Sequence, residues 1–370
     1  MGQGQPAVEG LEVSQFGSIY TGKRALVTGH TGFKGSWLTA WLEWLGAEVS
    51  GYALAPVGSD SHWGVLGSKA RDRRSDVRDM NALVAALAES RPEIVFHLAA
   101  QPLVRASYRD PLETWSTNVQ GVANVLEACR RVGGVRAIVV VTTDKVYENH
   151  ESTRGYREDD RLGGHDPYSA SKAAAEIVVD SYRKAFFAAS GVLLASARAG
   201  NVIGGGDWSE DRLIPDLVRA AQAGGILEIR SPRSTRPWQH VLESLAGYLL
   251  LGERLLRGDA GCASAFNFGP DPVDNRSVAE VLALLQPHWP AMRWQLSRDA
   301  HPHEAGLLYL DNSRVREQLG WRPVWNLEKA LAATAEWYRA YYDEKRVLTR
   351  EQLASFVDSA RAAGQPWANS

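Results

Sequence analysis

Thr28-Gly29-His30-Thr31-Gly32-Phe33-Lys34-Gly35 is the stretch whose reading decides the fold. The run Arg24–Thr28 before it has the character of a short buried strand. After it, Trp37, Leu38, Trp41, Leu42 and Leu45 recur at helical spacing, so the order is strand, tight turn, helix. The glycines fall as G-x-x-G-x-x-G. Residues without a Cβ permit the turn and let backbone N–H groups approach a pyrophosphate, whose charge is favoured at a helix N-terminus. Gly29, Thr31, Gly32, Phe33, Lys34 and Gly35 are therefore candidates to hold a dinucleotide.

Further strands are expected at Glu48–Tyr52, Ile94–Leu98 and Ala137–Thr142, separated by helical segments of roughly ten to twenty residues. Such alternation predicts an α/β fold with a doubly wound parallel sheet. Beyond Gly200 the pattern breaks up at Gly204-Gly205-Gly206, Pro215, Pro232, Pro237 and Pro270, which suits a smaller mixed α/β second domain. The expected organisation is a loosely held leader over 1–20, a cofactor domain over 21–200 and a substrate domain over 201–370, interleaved with the first.

The chain of 370 residues is 45% hydrophobic and carries a formal net charge of −2, so it can bury a large core but lacks the basic excess of a nucleic-acid binder. Cys129 and Cys262 have no partners at metal-ligand spacing and read as ordinary thiols. No signal peptide and no apolar run of the ~20 residues that span a bilayer is evident, so the expected location is the cytoplasm, without membrane contact. Of the thirteen tryptophans, Trp37, Trp41 and Trp44 read as packing residues.

A dinucleotide site of this kind usually has an acidic residue after the second strand, to hold the adenosine ribose. Here that position reads Gly51-Tyr52-Ala53-Leu54-Ala55. Arg71, Arg73 and Arg74 can meet a 2′-phosphate or form a solvated basic turn. Asp76 and Val77 are placed to read adenine, and Leu98, Ala99 and Ala100 end a strand with residues that suit a cofactor beside them.

Tyr168 and Lys172 form Y-x-x-x-K on a helix-forming stretch, and a spacing of four puts both side chains on one face. A phenol ionises too high to act as a base at neutral pH, so a neighbouring ammonium and a positive cofactor ring are needed to favour the phenolate. Thr143, Asp144 and Lys145 follow the fourth expected strand, at the carboxyl edge where open α/β sheets keep their ligands. They supply a hydroxyl, a potential acid and a cation there.

In order and separation these features resemble the extended short-chain dehydrogenase/reductases that modify nucleotide sugars. Within that group the likeness is to the CDP-glucose 4,6-dehydratase family. It is carried by the glycine turn, by Thr143-Asp144-Lys145-Val146-Tyr147 and by Ala199-Gly200-Asn201-Val202-Ile203-Gly204-Gly205-Gly206-Asp207-Trp208, and runs from about Tyr20 to Pro323. The resemblance implies a Rossmann-type fold, NAD as cofactor and CDP-glucose as substrate. It also implies a homodimer built on helices near Asn118–Arg130 and Tyr168–Phe186, and a place in deoxysugar biosynthesis of the kind that serves lipopolysaccharide O-antigen.

On this likeness Tyr168, Lys172, Thr143, Asp144 and Lys145 are catalytic, and Tyr168 and Lys172 also meet the cofactor. Gln101, Asn201, Arg212, Leu213, Arg236, His303 and Glu304 bind the substrate, the arginines suiting its phosphates. His301 and His303, two apart across a proline, fall short of a metal signature, and no metal is expected. The related dTDP-glucose dehydratases have Asp-Glu where this chain has Asp144-Lys145. A cationic lysine cannot accept the carbon 5 proton, so Lys145 is either held neutral or steadies an enolate while another group acts. A nucleotide-sugar epimerase or reductase, a dehydratase of a different nucleotide sugar, and a non-catalytic nucleotide-binding regulator are the competing readings. Asp144-Lys145 argues against simple epimerisation, and intact Thr143, Tyr168 and Lys172 against the regulator.

Overall fold

The computed structural model describes residues 15–297, apart from 57, 59 and 153, and residues 307–369. Seven parallel strands form the central sheet: β1 (Arg24–Thr28), β2 (Glu48–Ala53), β3 (Arg71–Arg74), β4 (Ile94–His97), β5 (Ala137–Val141), β6 (Leu193–Ala199) and β7 (Ala265–Phe268). Their spatial order is β7-β6-β5-β4-β1-β2-β3. Strand order reverses between β1 and β4, where Thr28 lies opposite Tyr52 on one side and His97 on the other. At such a switch point the connecting helices leave to opposite faces and open a crevice at the strand ends.

Helices of ten residues or more are α1 (Phe33–Trp44), α2 (Met80–Ser90), α3 (Gly121–Val132), α4 (Pro167–Tyr182), α5 (Leu213–Gln222), α6 (Val241–Leu256), α7 (Leu327–Glu344) and α8 (Thr349–Ala362). Alternation along each strand divides the core. Ala25, Val27, Ile94, Phe96, Val139 and Val141 face one side, in a cluster with α1, α6, α7 and α8. Leu26, Val95, Ile138 and Val140 face the other, against α2, α3 and α4. Both faces being covered, β5 is buried at every residue, which is why Ala137–Val141 is an unbroken apolar run.

Local chemistry sets the helix starts. Asp79 caps α2 by accepting from the Ala82 N–H, and Asp166 caps α4 by accepting from Ser169, with Pro167 in the first turn. Trp37 and Trp41 are fully buried and Trp44 lies at the surface, so the tryptophans of α1 pack the core at two of the three sites.

The leader ends sooner than expected. Phe16 and Tyr20 are fully buried; Phe16 stacks on Trp367, and the Tyr20 hydroxyl donates to the Leu249 carbonyl at 2.5 Å. Their aromatic bodies outweigh the polar composition around them. Arg71–Arg74 is an edge strand beside β2 rather than a turn. The seventh strand of the cofactor sheet, β7, comes from beyond residue 200 and pairs with β6. Small paired segments carry the remainder: 202–203 with 239–240, 235–237 with 275–277, and 227–229 with 294–296.

Candidate active site

The turn after β1 is shaped by two glycines. Gly29 has φ +74°, and a Cβ there would lie 2.7 Å from the Ala99 nitrogen; a Cβ on Gly35 would overlap the Gly29 carbonyl. Any side chain would push β1 away from the end of β4 or α1 away from the turn. No side chain caps α1, and its first residues, with Gly32 before them, line the crevice. Cramped backbone, a helix N-terminus open at the crevice and the small Ala99 and Ala100 fit the pyrophosphate of NAD. Below the turn, Thr28 Oγ1 lies 2.7 Å from His97 Nδ1, and burial pushes His97 down to about 3.

At the adenosine end, Thr31 donates to the Leu54 carbonyl at 3.0 Å. Arg74 is tied to Leu54 O and Asp72, while the Asp72 carboxylate accepts from His30 Nε2 at 2.9 Å. Asp76 is clasped by Arg78, whose hydrogen bond holds its carboxyl below the usual range. Asp76 is therefore not the cap of α2, and it lines the crevice together with Val77.

The chemistry-bearing side chains meet at the ends of β5 and α4. Thr143 Oγ1 donates to Asp144 Oδ1 at 3.0 Å. Burial raises the Asp144 carboxyl, against the opposing pull of Lys145, the Thr143 hydroxyl, Arg236 and Lys34. Its Oδ2 is buried and has no hydrogen-bond partner. Gly200 leaves room for it, since a Cβ there would lie 2.8 Å from Oδ2 and 2.6 Å from Pro237 Cγ. Burial of this kind favours the neutral carboxyl over the carboxylate.

Tyr168 lies across from Thr143. Burial pushes its phenol up to about 12, with the Thr143 hydroxyl lowering it and Asp144 raising it. Lys172, one turn along α4, donates to the Val141 carbonyl at 3.2 Å and is lowered to about 8 by burial, with Glu176 opposing. Lys34 reaches the same group from the glycine turn. It donates to Tyr248 at 3.3 Å and is lowered to about 7, chiefly by burial, then by Arg212 and Lys172, with Asp144 opposing.

A single cavity of about 1430 Å³ joins these parts. The glycine turn, Asp76, Val77, Leu98, Ala99 and Ala100 line one end. Thr143, Lys145, Tyr168 and Lys172 line the middle, and Asn201, Arg212, Leu213 and Arg236 the other end. It exceeds the ~300–1,000 Å³ of an ordinary small-molecule pocket, as a site for two ligands would. Asp207 holds Arg212 by an ion pair at 3.1 Å. Arg236 is buried and acts on Asp144, which places it nearer the chemistry than a phosphate contact alone requires.

One expected substrate ligand is otherwise engaged. The Gln101 amide turns back on its own loop, donating to Leu103 O at 3.1 Å and Thr114 Oγ1 at 2.8 Å and accepting from Leu103 N at 2.6 Å. Its backbone lines the cavity while its side chain holds the loop. His303 and Glu304, with His301, lie outside the described residues. Among the described residues no group of three or more His, Cys, Asp or Glu side chains is placed to hold a metal. Both cysteines are buried free thiols.

Sequence reasoning missed Asn118, whose amide joins Gln101 O at 3.1 Å to Ser171 Oγ at 2.9 Å, and nothing in its spacing marks it. It also missed Glu176, although Tyr168, Lys172 and Glu176 recur every four residues on one face of α4.

Comparison with known proteins agrees with this geometry. The model of the NAD dependent epimerase/dehydratase family matches residues 25–269. A CDP-glucose 4,6-dehydratase from Salmonella typhimurium is 44% identical over 92% of this chain and 98% of its own. A UDP-glucose 4-epimerase from Mycolicibacterium smegmatis is 30% identical over 85% of this chain and 98% of its own. Among solved structures, a dTDP-glucose 4,6-dehydratase from Streptomyces venezuelae with NAD bound superposes with a TM-score of 0.73 at 26% identity, covering 87% of this chain and all of that one. Glycine turn, switch-point crevice and the Tyr168–Lys172 pair thus sit on a chain that belongs to the NAD dependent epimerase/dehydratase family.

Proposed function

We propose that the protein dehydrates CDP-glucose to CDP-4-keto-6-deoxyglucose as an NAD-dependent hydro-lyase. The observation that carries this reading is the Asp144 carboxyl, bonded to Thr143 through Oδ1 and buried so that its neutral form is favoured, with Oδ2 free of hydrogen bonds. Epimerisation has no leaving hydroxyl to protonate, whereas dehydration needs such an acid. The choice of CDP-glucose rests on the Salmonella typhimurium relative.

In the mechanism Tyr168 takes the proton of the carbon 4 hydroxyl, which Thr143 orients. Lys172, as ammonium, favours the phenolate that Tyr168 must form. NAD, held by the glycine turn with Asp76, Tyr168 and Lys172, would supply the hydride acceptor for carbon 4 and the hydride donor for carbon 6. The ketone at carbon 4 acidifies carbon 5, whose proton must leave before the carbon 6 hydroxyl can. Lys145, which lines the cavity at this edge, takes the carbon 5 proton in its neutral form. Asp144 gives its proton to the departing carbon 6 oxygen, and one water is lost. Lys145 returns its proton to carbon 5; Tyr168 is left protonated and Asp144 ionised, and passage of that proton from Tyr168 to Asp144, directly or through solvent, restores both for the next turnover. Arg212 and Arg236 hold the diphosphate, with Asn201 and Leu213 beside it.

The active form is a homodimer in the cytoplasm, in a deoxysugar route. Its dimer face is supported by Leu112, Trp115, Ile177 and Phe186, large apolar side chains exposed on 111–115 and along α4 and its extension. No helix among the described residues is long and apolar enough to cross a membrane.

Mass spectrometry of the protein incubated with NAD and, separately, CDP-glucose, dTDP-glucose and GDP-mannose tests the reading. Loss of one water from CDP-glucose alone, without reduced cofactor accumulating, is expected. Unchanged mass with an inverted stereocentre would make the protein an epimerase.

A further inference from the structure

Beneath the Tyr168–Lys172 pair lies a buried ion pair to which the mechanism gives no part. Glu176 and Arg198 are 4% exposed each and meet at 2.9 Å. The Glu176 carboxylate also accepts from Thr142 Oγ1 at 2.5 Å and from Ser196 Oγ at 2.7 Å. Arg198 donates onward to the Tyr147 hydroxyl at 2.8 Å and the Glu158 carbonyl at 2.9 Å. Three donors and one charge therefore converge on one carboxylate.

The placement of those donors matters more than their number. Thr142 immediately precedes Thr143 and Asp144 at the end of β5, and Glu176 is one turn beyond Lys172 on α4. Lys172 itself is bonded to Val141, the last residue of β5. The strand end that carries the acid and the helix that carries the base are thus joined at two consecutive turns of α4, by Lys172 to Val141 and by Glu176 to Thr142.

Resting on the proposed reaction, we infer that Glu176 is a positioning residue: by tying Thr142 and Arg198 to α4 it sets the spacing between Thr143–Asp144 and Tyr168–Lys172, with its carboxylate one helical turn from Lys172. A buried pair of this kind adds little net stability over apolar packing, but removing one member leaves the other uncompensated.

The electrostatic surroundings bear this out in direction. Glu176 faces Lys172 from its own helix, Lys34 from the glycine turn and His97 from β4. Asp144 reaches the group through Tyr168 and Lys34, and Arg212 through Lys34. Arg198 and Arg183 face Glu176 from β6 and from the end of α4, and Tyr147 and Glu158 lie beyond Arg198. Burial drives Lys172 down and Glu176 alone is the carboxylate that opposes it. An opposite charge about one helical turn away shifts an amine by roughly one unit or more.

The test is Glu176→Gln, which keeps the shape and an acceptor while removing the charge, and the double variant Glu176→Gln with Arg198→Met, which leaves no unpaired cation. In both, the alkaline limb of kcat against pH should move down by about one unit, as Lys172 loses its proton more readily. KM for CDP-glucose should change less than kcat. The pH dependence of NAD affinity, followed by tryptophan fluorescence, should shift the same way; it needs no sugar and so reads Glu176 even if the substrate reading fails. An alkaline limb and an NAD titration unmoved in a folded variant would overturn the inference. So would loss of native circular dichroism in both variants, which would make the pair a fold element alone.

Discussion

Replacing Asp144 with asparagine separates the two halves of the proposed reaction. Asparagine has the same shape; its amide oxygen can accept from Thr143 as Oδ1 does at 3.0 Å. The amide nitrogen would stand where Oδ2 now has no partner, so no hydrogen bond is broken and the fold should hold. What is lost is a carboxyl whose neutral form burial favours, and with it the proton it can give. General acid catalysis contributes about 100- to 10,000-fold, or roughly 3 to 5 kcal/mol of barrier, and all of it falls on loss of the carbon 6 hydroxyl. Oxidation at carbon 4 uses Tyr168 and should survive. The variant incubated with CDP-glucose and NAD should therefore accumulate reduced cofactor, visible in the near-ultraviolet, while the dehydrated sugar seen by mass spectrometry forms at about one hundredth of the normal rate or less. Dehydration within about threefold of the unaltered protein would refute the reasoning, because a barrier change below about 1 kcal/mol leaves no role for an acid at this position.

Gly29→Ala should abolish NAD binding, measured by tryptophan fluorescence, since the Cβ would lie 2.7 Å from the Ala99 backbone at a φ of +74°; the left-handed conformation alone costs about 1–2 kcal/mol. Glu243 is fully buried and pushed up to about 8 by burial, against the Trp325 and Val324 N–H groups it accepts from. Because its folded value lies above its unfolded one, its stabilising contribution is complete below the ordinary carboxylate range and is lost as pH rises towards about 8; the melting temperature should fall over that window, and Glu243→Gln should flatten the slope. Leu112→Glu combined with Ile177→Glu should convert the proposed dimer to a monomer in analytical ultracentrifugation, with the far-ultraviolet spectrum unchanged, as both side chains are exposed in the single chain at 78% and 61%.

Several elements were legible because their signals are local. The glycine turn between Arg24–Thr28 and the apolar stripe of α1 is contiguous chain, and backbone sterics make its spacing diagnostic. Tyr168 and Lys172 share a face by helix geometry alone. The edge strand Arg71–Arg74 escaped notice because its four residues are all charged, and a strand at the sheet edge needs no apolar alternation to pair its backbone.

By itself the sequence determined the glycine turn, the order of strands and helices from Arg24 to Val141 apart from the edge strand Arg71–Arg74, and the presence of Thr143, Asp144, Lys145, Tyr168 and Lys172 near the carboxyl edge. Each follows from steric or periodic rules acting within a few residues. Only the tertiary structure decided what those groups are. Asp144 is an acid because the fold closes over it, Lys34 joins the catalytic group through Tyr248 across 214 residues, and Gln101 spends its amide on its own loop. Phe16 belongs to the core because Trp367 meets it, and β7 joins the sheet because β6 has an open edge. Protonation and hydrogen-bond capacity depend on what surrounds a side chain in space, and those neighbours come from segments far apart in the chain.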